Sequence, residues 1–366
     1  MRLGLIYSLL SFSMAFLAAG AAAQESNKYS EYKDLPVGAV FFGAGYNLDV
    51  GLSVFGRLKH DQFLAPNQKI DIGFAISDVS QSYDLLLENE GVFGATPRLA
   101  FSVSHRTSDR QETLGIDTTV SELKPRLVFD GGASTTSVSA IVRRDEVSNT
   151  SVAPVLLQDE AGKRDVYGLG LEYQARRANA VYSVSSDFLT DGEDLSFAKA
   201  ETSAHRAFNL NAPGLDVELR AAAGAIVVFG GQTTINDRFL PASGTLRGFE
   251  AAGFGPVDPS ALNGAPVGAT RYAVMSLDVR QKGIFAALPG LSFGAFMDVG
   301  SSWGLDEMGS GPRASIDDAA KLRGALGLTM SREFGPARLE LVLAHPFRHE
   351  DADRLQQLQI NFTSRF

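Results

Sequence analysis

The chain has 366 residues, no cysteine and a formal net charge of -9, with a mean hydropathy of +0.00. Without cysteine there are no disulfides, structural thiolate metal sites or thiol nucleophiles, and the acidic balance argues against nucleic acid, whose phosphates need clustered Lys and Arg. Hydrophobic residues make up 45%, yet past the first two dozen positions no apolar run approaches the roughly 18 residues of a membrane helix.

The first element in chain order is a processing signal. Arg2 supplies a positive start, Leu3 to Leu17 is mostly apolar, and Ala21-Ala22-Ala23 offers small residues for cleavage before Gln24. A membrane anchor would need a basic stop-transfer flank, and none follows. Residues 1–23 are therefore expected to be a signal peptide and 24–36 a short periplasmic stub too small to fold alone. The mature chain is expected to leave the cytoplasm.

From Val37 to Phe366 one device repeats: about ten residues of alternating polarity, then Gly, Asp, Asn or Ser. Such runs lie near 37–47, 50–60, 68–77, 80–88, 98–106, 116–129, 135–144, 164–175, 178–190, 194–210, 215–229, 271–282, 291–303, 321–334, 336–346 and 356–366. In 166–174, Tyr167, Leu169, Leu171 and Tyr173 alternate with Gly168, Gly170, Glu172 and Gln174. In 336–346, Leu339, Leu341 and Leu343 face away from Arg338 and Glu340. In the last run Leu358, Ile360, Phe362 and Phe366 share one face with Ser364, opposite Gln357, Gln359, Asn361, Thr363 and Arg365.

An even count of about sixteen strands suits a closed antiparallel barrel, the one sheet that leaves no unpaired edge in lipid. A soluble sandwich also has one apolar face. Charges on the polar face of nearly every strand favour instead a barrel wide enough to hold a wet lumen. The expectation is all-β: a single transmembrane β-barrel domain over 37–366.

One connection is long. Residues 231–270, about forty residues between the eleventh and twelfth strands, exceed what a passive loop needs. They contain Leu246-Arg247-Gly248-Phe249 and then Gly253-Phe254-Gly255-Pro256. Arg247 is either a solvated surface charge or, if the loop folds back into the barrel, a partner for lumen carboxylates. Asp278, on the Ser276/Asp278/Arg280 face, and Asp298, opposite Met297 and Val299, are the candidates. A guanidinium fork can bridge two carboxylates where an ammonium cannot. Gly248 would let the backbone approach the wall and Phe249 would wedge against it.

These residues carry a family resemblance. The run GTLRGFEAAGFGP resembles the inward-folded loop of the BamA/TamA-type outer-membrane protein assembly superfamily, the bacterial surface antigen barrels, which includes the transporters of two-partner secretion. FMDVGSSW is similar to the strand whose aspartate receives the loop arginine. YAVMSLDVR is similar to the strand between them, with Asp278 where Glu is common. The stretch from VGAVFFGAGYNLDVGLSVFGRLKH to LLLENE resembles the first four barrel strands, and the run from LRGALGLTMSREFGPARLELVLAHPF to INFTSRF the last ones. The resemblance spans nearly all of 37–366. It implies a loop–lumen lock of Arg247, Gly248, Phe249, Asp278 and Asp298. It also implies that the aromatic end of the last strand, Phe362 and Phe366, is a signal for insertion into the membrane. Leu246 replaces the family's usual Val before Arg. Members normally carry periplasmic POTRA domains, for which this sequence is expected to have no room.

Other signals are weaker. None of His60, His105, His205, His345 and His349 has a metal-ligand spacing, and no nucleophile elbow or phosphate loop is present. Asp191, Glu193 and Asp194 cluster in a turn without a full calcium ligand set, so a solvated loop is the alternative. No enzyme activity, cofactor or metal is expected. The expected role is assistance to insertion or translocation of outer-membrane proteins through a glycine-weakened first strand (Gly38, Gly43, Gly45, Gly51) against the last. A passive channel or accessory barrel in a surface complex is the alternative. Expected partners are the bilayer with its lipopolysaccharide, unfolded outer-membrane clients and a periplasmic or lipoprotein helper. The expected location is the bacterial outer membrane.

Overall fold

A computed structural model describes residues 38–47, 51–65, 67–90, 97–110, 115–149, 153–208, 210, 212–242, 244–259, 265–283, 290–306, 316–335 and 337–365. The expected signal peptide, the stub and Phe366 lie outside them. Sixteen strands close into one antiparallel barrel in chain order. They are β1 (Gly38–Asn47), β2 (Gly51–His60), β3 (Gln68–Ser77), β4 (Ser80–Asn89), β5 (Arg98–Arg110), β6 (Ile116–Asp130), β7 (Ser134–Asn149) and β8 (Gly162–Arg177). The wall continues with β9 (Ala180–Thr190), β10 (Ser196–Phe208), β11 (Leu215–Gly230), β12 (Arg271–Lys282), β13 (Leu291–Trp303), β14 (Arg323–Phe334), β15 (Ala337–Arg348) and β16 (Leu358–Arg365). Among the described residues one short helix, α1 (Val155–Asp159), sits between β7 and β8.

Strand alternation sets the two surfaces. Val54, Leu58, Ile72, Phe101, Val103, Leu169, Leu171, Phe188, Met275, Leu277, Met297, Leu328 and Leu343 are all exposed on the outer face. Opposite faces carry paired charges: Arg57 with Asp71, Arg98 with Asp130, and Lys124 with Asp187. This is a soluble protein turned inside out, apolar outside and ionic within, and it suits a wall solvated by lipid.

Several strands run further than the alternation predicts, β5 to Arg110 among them. The runs expected at 135–144 and 164–175 are β7 and β8, which continue to Asn149 and begin at Gly162. Beyond Val142 and Tyr167 the outer positions pair Arg144 with Asp165 at 2.6 Å and Lys163 with Glu146 at 3.3 Å. Backbone pairing continues there while the apolar face stops, so these strands stand clear of the lipid-facing band. The last run begins later than expected, at Leu358, because Gln356 pairs with Gly248 of the loop instead, next to a Leu355–Phe249 pair.

The long connections after β7, β11, β13 and β15 all join strands at one rim, whereas 131–133 and 178–179 turn tightly at the other. The long connections pack on one another. Ile116 and Val147 of the wall, Leu156 and Leu157 of α1, Ile235 and Val267 of 231–270, and Ile316 form one buried apolar cluster. Burying these side chains contributes about 1.5–3 kcal/mol each relative to exposure, enough to order connections that would otherwise be loose.

Candidate functional site

The described residues of 231–270 fold back against the barrel wall. Gly248 takes a φ of +95°, a conformation that favours glycine, and Phe249 N–H closes the turn by donating to the Leu246 carbonyl at 3.3 Å. The tip is then pinned to the β15–β16 connection: Glu250 N–H donates to the Arg354 carbonyl at 3.0 Å, and Arg354 N–H to the Gly253 carbonyl at 2.8 Å. Leu246, Phe249 and Phe254 are buried together against Ala325 of β14, with Val274 and Leu355 at the edge. Phe249 and Phe254 meet edge to face, their centroids 5.6 Å apart.

This turn carries Arg247 to the inner faces of β12 and β13. Asp298 accepts from its backbone N–H at 3.0 Å, from Nε at 2.8 Å and from Nη2 at 2.6 Å. Asp278 accepts from Nη1 at 2.6 Å and from Nη2 at 3.2 Å. The two carboxylates reach one guanidinium because register places Asp298 opposite Ser276 and Asp278 opposite Phe296, one diagonal apart on the same face. Their outward neighbours Leu277 and Met297 are exposed on the lipid side, which puts the carboxylates, and Arg247 with them, inside.

Two further residues complete the arrangement and were not singled out by the sequence. Arg220 of β11 donates to Asp278 through Nη2 at 2.6 Å. The Arg247 guanidinium stacks on Phe296, its Cζ 3.7 Å from the ring centroid. The available signal was positional: Phe296 shares the Asp298 face two residues earlier, and Arg220 points inward on the strand adjoining β12. With Arg220 included, two guanidinium groups face two carboxylates, so the buried group is neutral overall. Burial disfavours the Arg247 charge, but Asp298 and then Asp278 outweigh it and hold its proton more tightly than usual.

The remaining candidates are placed as follows. Gly248 faces Pro346, Ala325 and Ala344 on the wall, and Phe249 is fully buried. Phe362 is exposed on β16 opposite Tyr46 of β1. Asp191 uses Oδ1 to accept the N–H groups of Glu193 and Leu195, so it orders its own turn. Among the described residues no group of His, Asp and Glu could hold a metal ion.

Comparison with known proteins adds the family. A model of the Omp85 superfamily domain matches residues 62–366. Among solved structures, the chain is similar to BamA from Haemophilus ducreyi lacking POTRA domains 1–3, with a TM-score of 0.74 and 16% identity over 91% of this chain and 71% of that one. It is also similar to CdiB from Acinetobacter baumannii (TM-score 0.55, 13% identity, 91% of this chain and 60% of that one). CdiB from Escherichia coli is a comparable match (TM-score 0.55, 14% identity, 91% and 64%). The chain thus spans less than two thirds of either CdiB. No curated protein matches by sequence.

Proposed function

The chain belongs to the Omp85 superfamily and is an outer-membrane β-barrel, and from that premise we propose that it is a BamA-like barrel that assists insertion or translocation of outer-membrane proteins. The observation that carries this reading is the seam. Among the described residues β1 meets β16 through four pairs, Gly43 with Arg365, Ala44 with Ser364, Gly45 with Thr363 and Tyr46 with Phe362. On its other side β1 meets β2 through ten. Two of the four β1 residues at the seam are glycines, which weaken pairing.

A wall closed this lightly at one joint separates there first. Parting β1 from β16 exposes two rows of backbone donors and acceptors in lipid, which an incoming client strand satisfies by adding to the edge. No cofactor or covalent step is required; folding of the client supplies the driving force. The lock of Arg247 with Asp278 and Asp298 lies on β12 and β13, three strands or more from the seam, and ties the loop to the part of the wall that stays closed. Unfolded outer-membrane proteins are the proposed clients, a periplasmic or lipoprotein helper the proposed delivering partner, and lipopolysaccharide the surrounding lipid.

The test is insertion of an urea-unfolded barrel client into liposomes containing this protein, with conductance recorded on the same vesicles. Accelerated client folding supports the proposal. Conductance without acceleration overturns it in favour of a passive channel, a reading that the charged inner faces of β2, β3, β6 and β9 favour.

A further inference from the structure

The 231–270 segment touches the wall at a second charged site. Asp237, fully buried, accepts from Arg143 of β7, from Arg164 of β8 through Nη2 at 2.7 Å and from Thr234 N–H at 2.9 Å. Its own carbonyl accepts from Lys199 Nζ of β10 at 2.9 Å. Asp145 of β7 in turn takes Arg143 at 2.8 Å and Arg164 at 3.0 Å through Oδ2. The neighbouring Arg238, also buried, donates to Glu160 at 2.6 Å and to the Val267 and Thr233 carbonyls at 2.7 and 3.0 Å.

We propose that Asp237 is a second anchor of the loop, opposite in charge to Arg247, and that the two make the segment a strut fixed at both ends inside the barrel. At one end an acidic loop residue sits between arginines of β7 and β8. At the other a basic loop residue sits between aspartates of β12 and β13. The anchoring strands lie several positions apart around the barrel, and between the two anchors Phe239 rests on Tyr272 of β12, their ring centroids 4.8 Å apart. The reversed polarity fixes orientation as well as position. A loop seated the other way would bring Asp237 against Asp278 and Asp298, and Arg247 against Arg143 and Arg164, leaving like charges buried together. Buried ion pairs add little net stability but are effective at setting register.

This inference concerns how the loop is held and does not depend on the insertion role proposed above. Its test uses folded protein in detergent, without any client, so the two stand or fall separately. Limited trypsin treatment reads cleavage after Arg238 and after Arg247 as two local probes, with heat-modified gel mobility confirming a folded barrel. Asp237→Asn is expected to raise cleavage at Arg238 by about tenfold while Arg247 stays protected. Asp298→Asn is expected to do the reverse. General loosening of the barrel would raise both sites together in either variant. Should Asp237→Asn not fold, Arg143→Gln with Arg164→Gln removes the same anchor from the wall side and carries the same measurement. Unchanged protection at Arg238, or equal exposure of both sites from either end, overturns the proposal.

Discussion

Arg247 meets Asp298 through three donors, one of them its backbone N–H, so the main chain of the loop is registered on β13 as firmly as the side chain. A lysine would keep the backbone bond but puts all its donors on one nitrogen, without the rigid fork that spans both carboxylates. Arg247→Ala and Asp298→Ala should each destabilise the folded barrel by about 3–5 kcal/mol, because each leaves a buried charge without its partner. The double variant should cost much less than the sum. Heat-modified gel mobility across the four-member cycle reads the coupling, and simple additivity would rule out the pairing as an energetic unit.

Gly248 and Gly327 shape the lock without carrying charge. At Gly248 a side chain would be strained by the positive φ and would press on Pro346, Ala325 and Ala344 at 3.1, 3.2 and 3.3 Å. At Gly327 a Cβ would collide with the Leu343 backbone carbonyl of β15 and stand 2.6 Å from the Phe296 ring, the ring on which Arg247 rests. Gly327→Val should press on the β15 backbone, tilt Phe296 out from under the guanidinium and cost about 1–3 kcal/mol. Tryptic cleavage after Arg247 should rise although no hydrogen-bonding group has changed. Unaltered protection there would show that the stack does not hold Arg247.

The strands were legible because lipid on one side and a wet lumen on the other impose a period of two on every crossing. Where that contrast ends, so does the signal: β7 and β8 outrun it as soon as Arg144, Asp165, Lys163 and Glu146 face outward. Arg247 was legible from chemistry, since an arginine in a glycine-flanked turn followed by strands with inward aspartates suggests a fork and its acceptors. Asp237 was not. Its partners Arg143 and Arg164 are 94 and 73 residues away, and only closure of the barrel decides which of many inward charges meets which loop residue. Gln356 was misplaced in the last strand for a related reason. Its alternation fits β16, but the loop tip offers it a competing partner in Gly248, beside the pairing of Leu355 with Phe249.

The Asp237 site should also be sensitive to acid. Burial alone would raise its carboxyl, but Arg143, Arg164 and the Thr234 N–H outweigh burial and hold it well below the usual carboxylate range. A carboxyl depressed in the folded state stabilises the fold above its unfolded value of about 3.9. That contribution shrinks as pH falls through the folded-state value. Wild type should therefore be more heat-resistant than Asp237→Asn at neutral pH, and the gap should narrow below about pH 4. Midpoints of thermal unfolding from pH 7 downward give the comparison. A constant gap across that range would mean that the Asp237 charge is not what holds the loop.

The seam can be tested directly because the chain has no cysteine. Ala44 and Ser364 lie opposite each other in register, and opposed residues in antiparallel strands have Cβ atoms about 4.5–5.5 Å apart, close to disulfide reach. The double variant Ala44→Cys with Ser364→Cys should form an intramolecular disulfide on oxidation, visible as altered mobility on a denaturing gel. If a client strand enters between β1 and β16, oxidation should abolish accelerated client folding and reduction should restore it. The lumen is bounded by the same sixteen strands in either state, so conductance should be unchanged. Client folding that proceeds equally well with the seam covalently closed would require an entry site elsewhere on the wall.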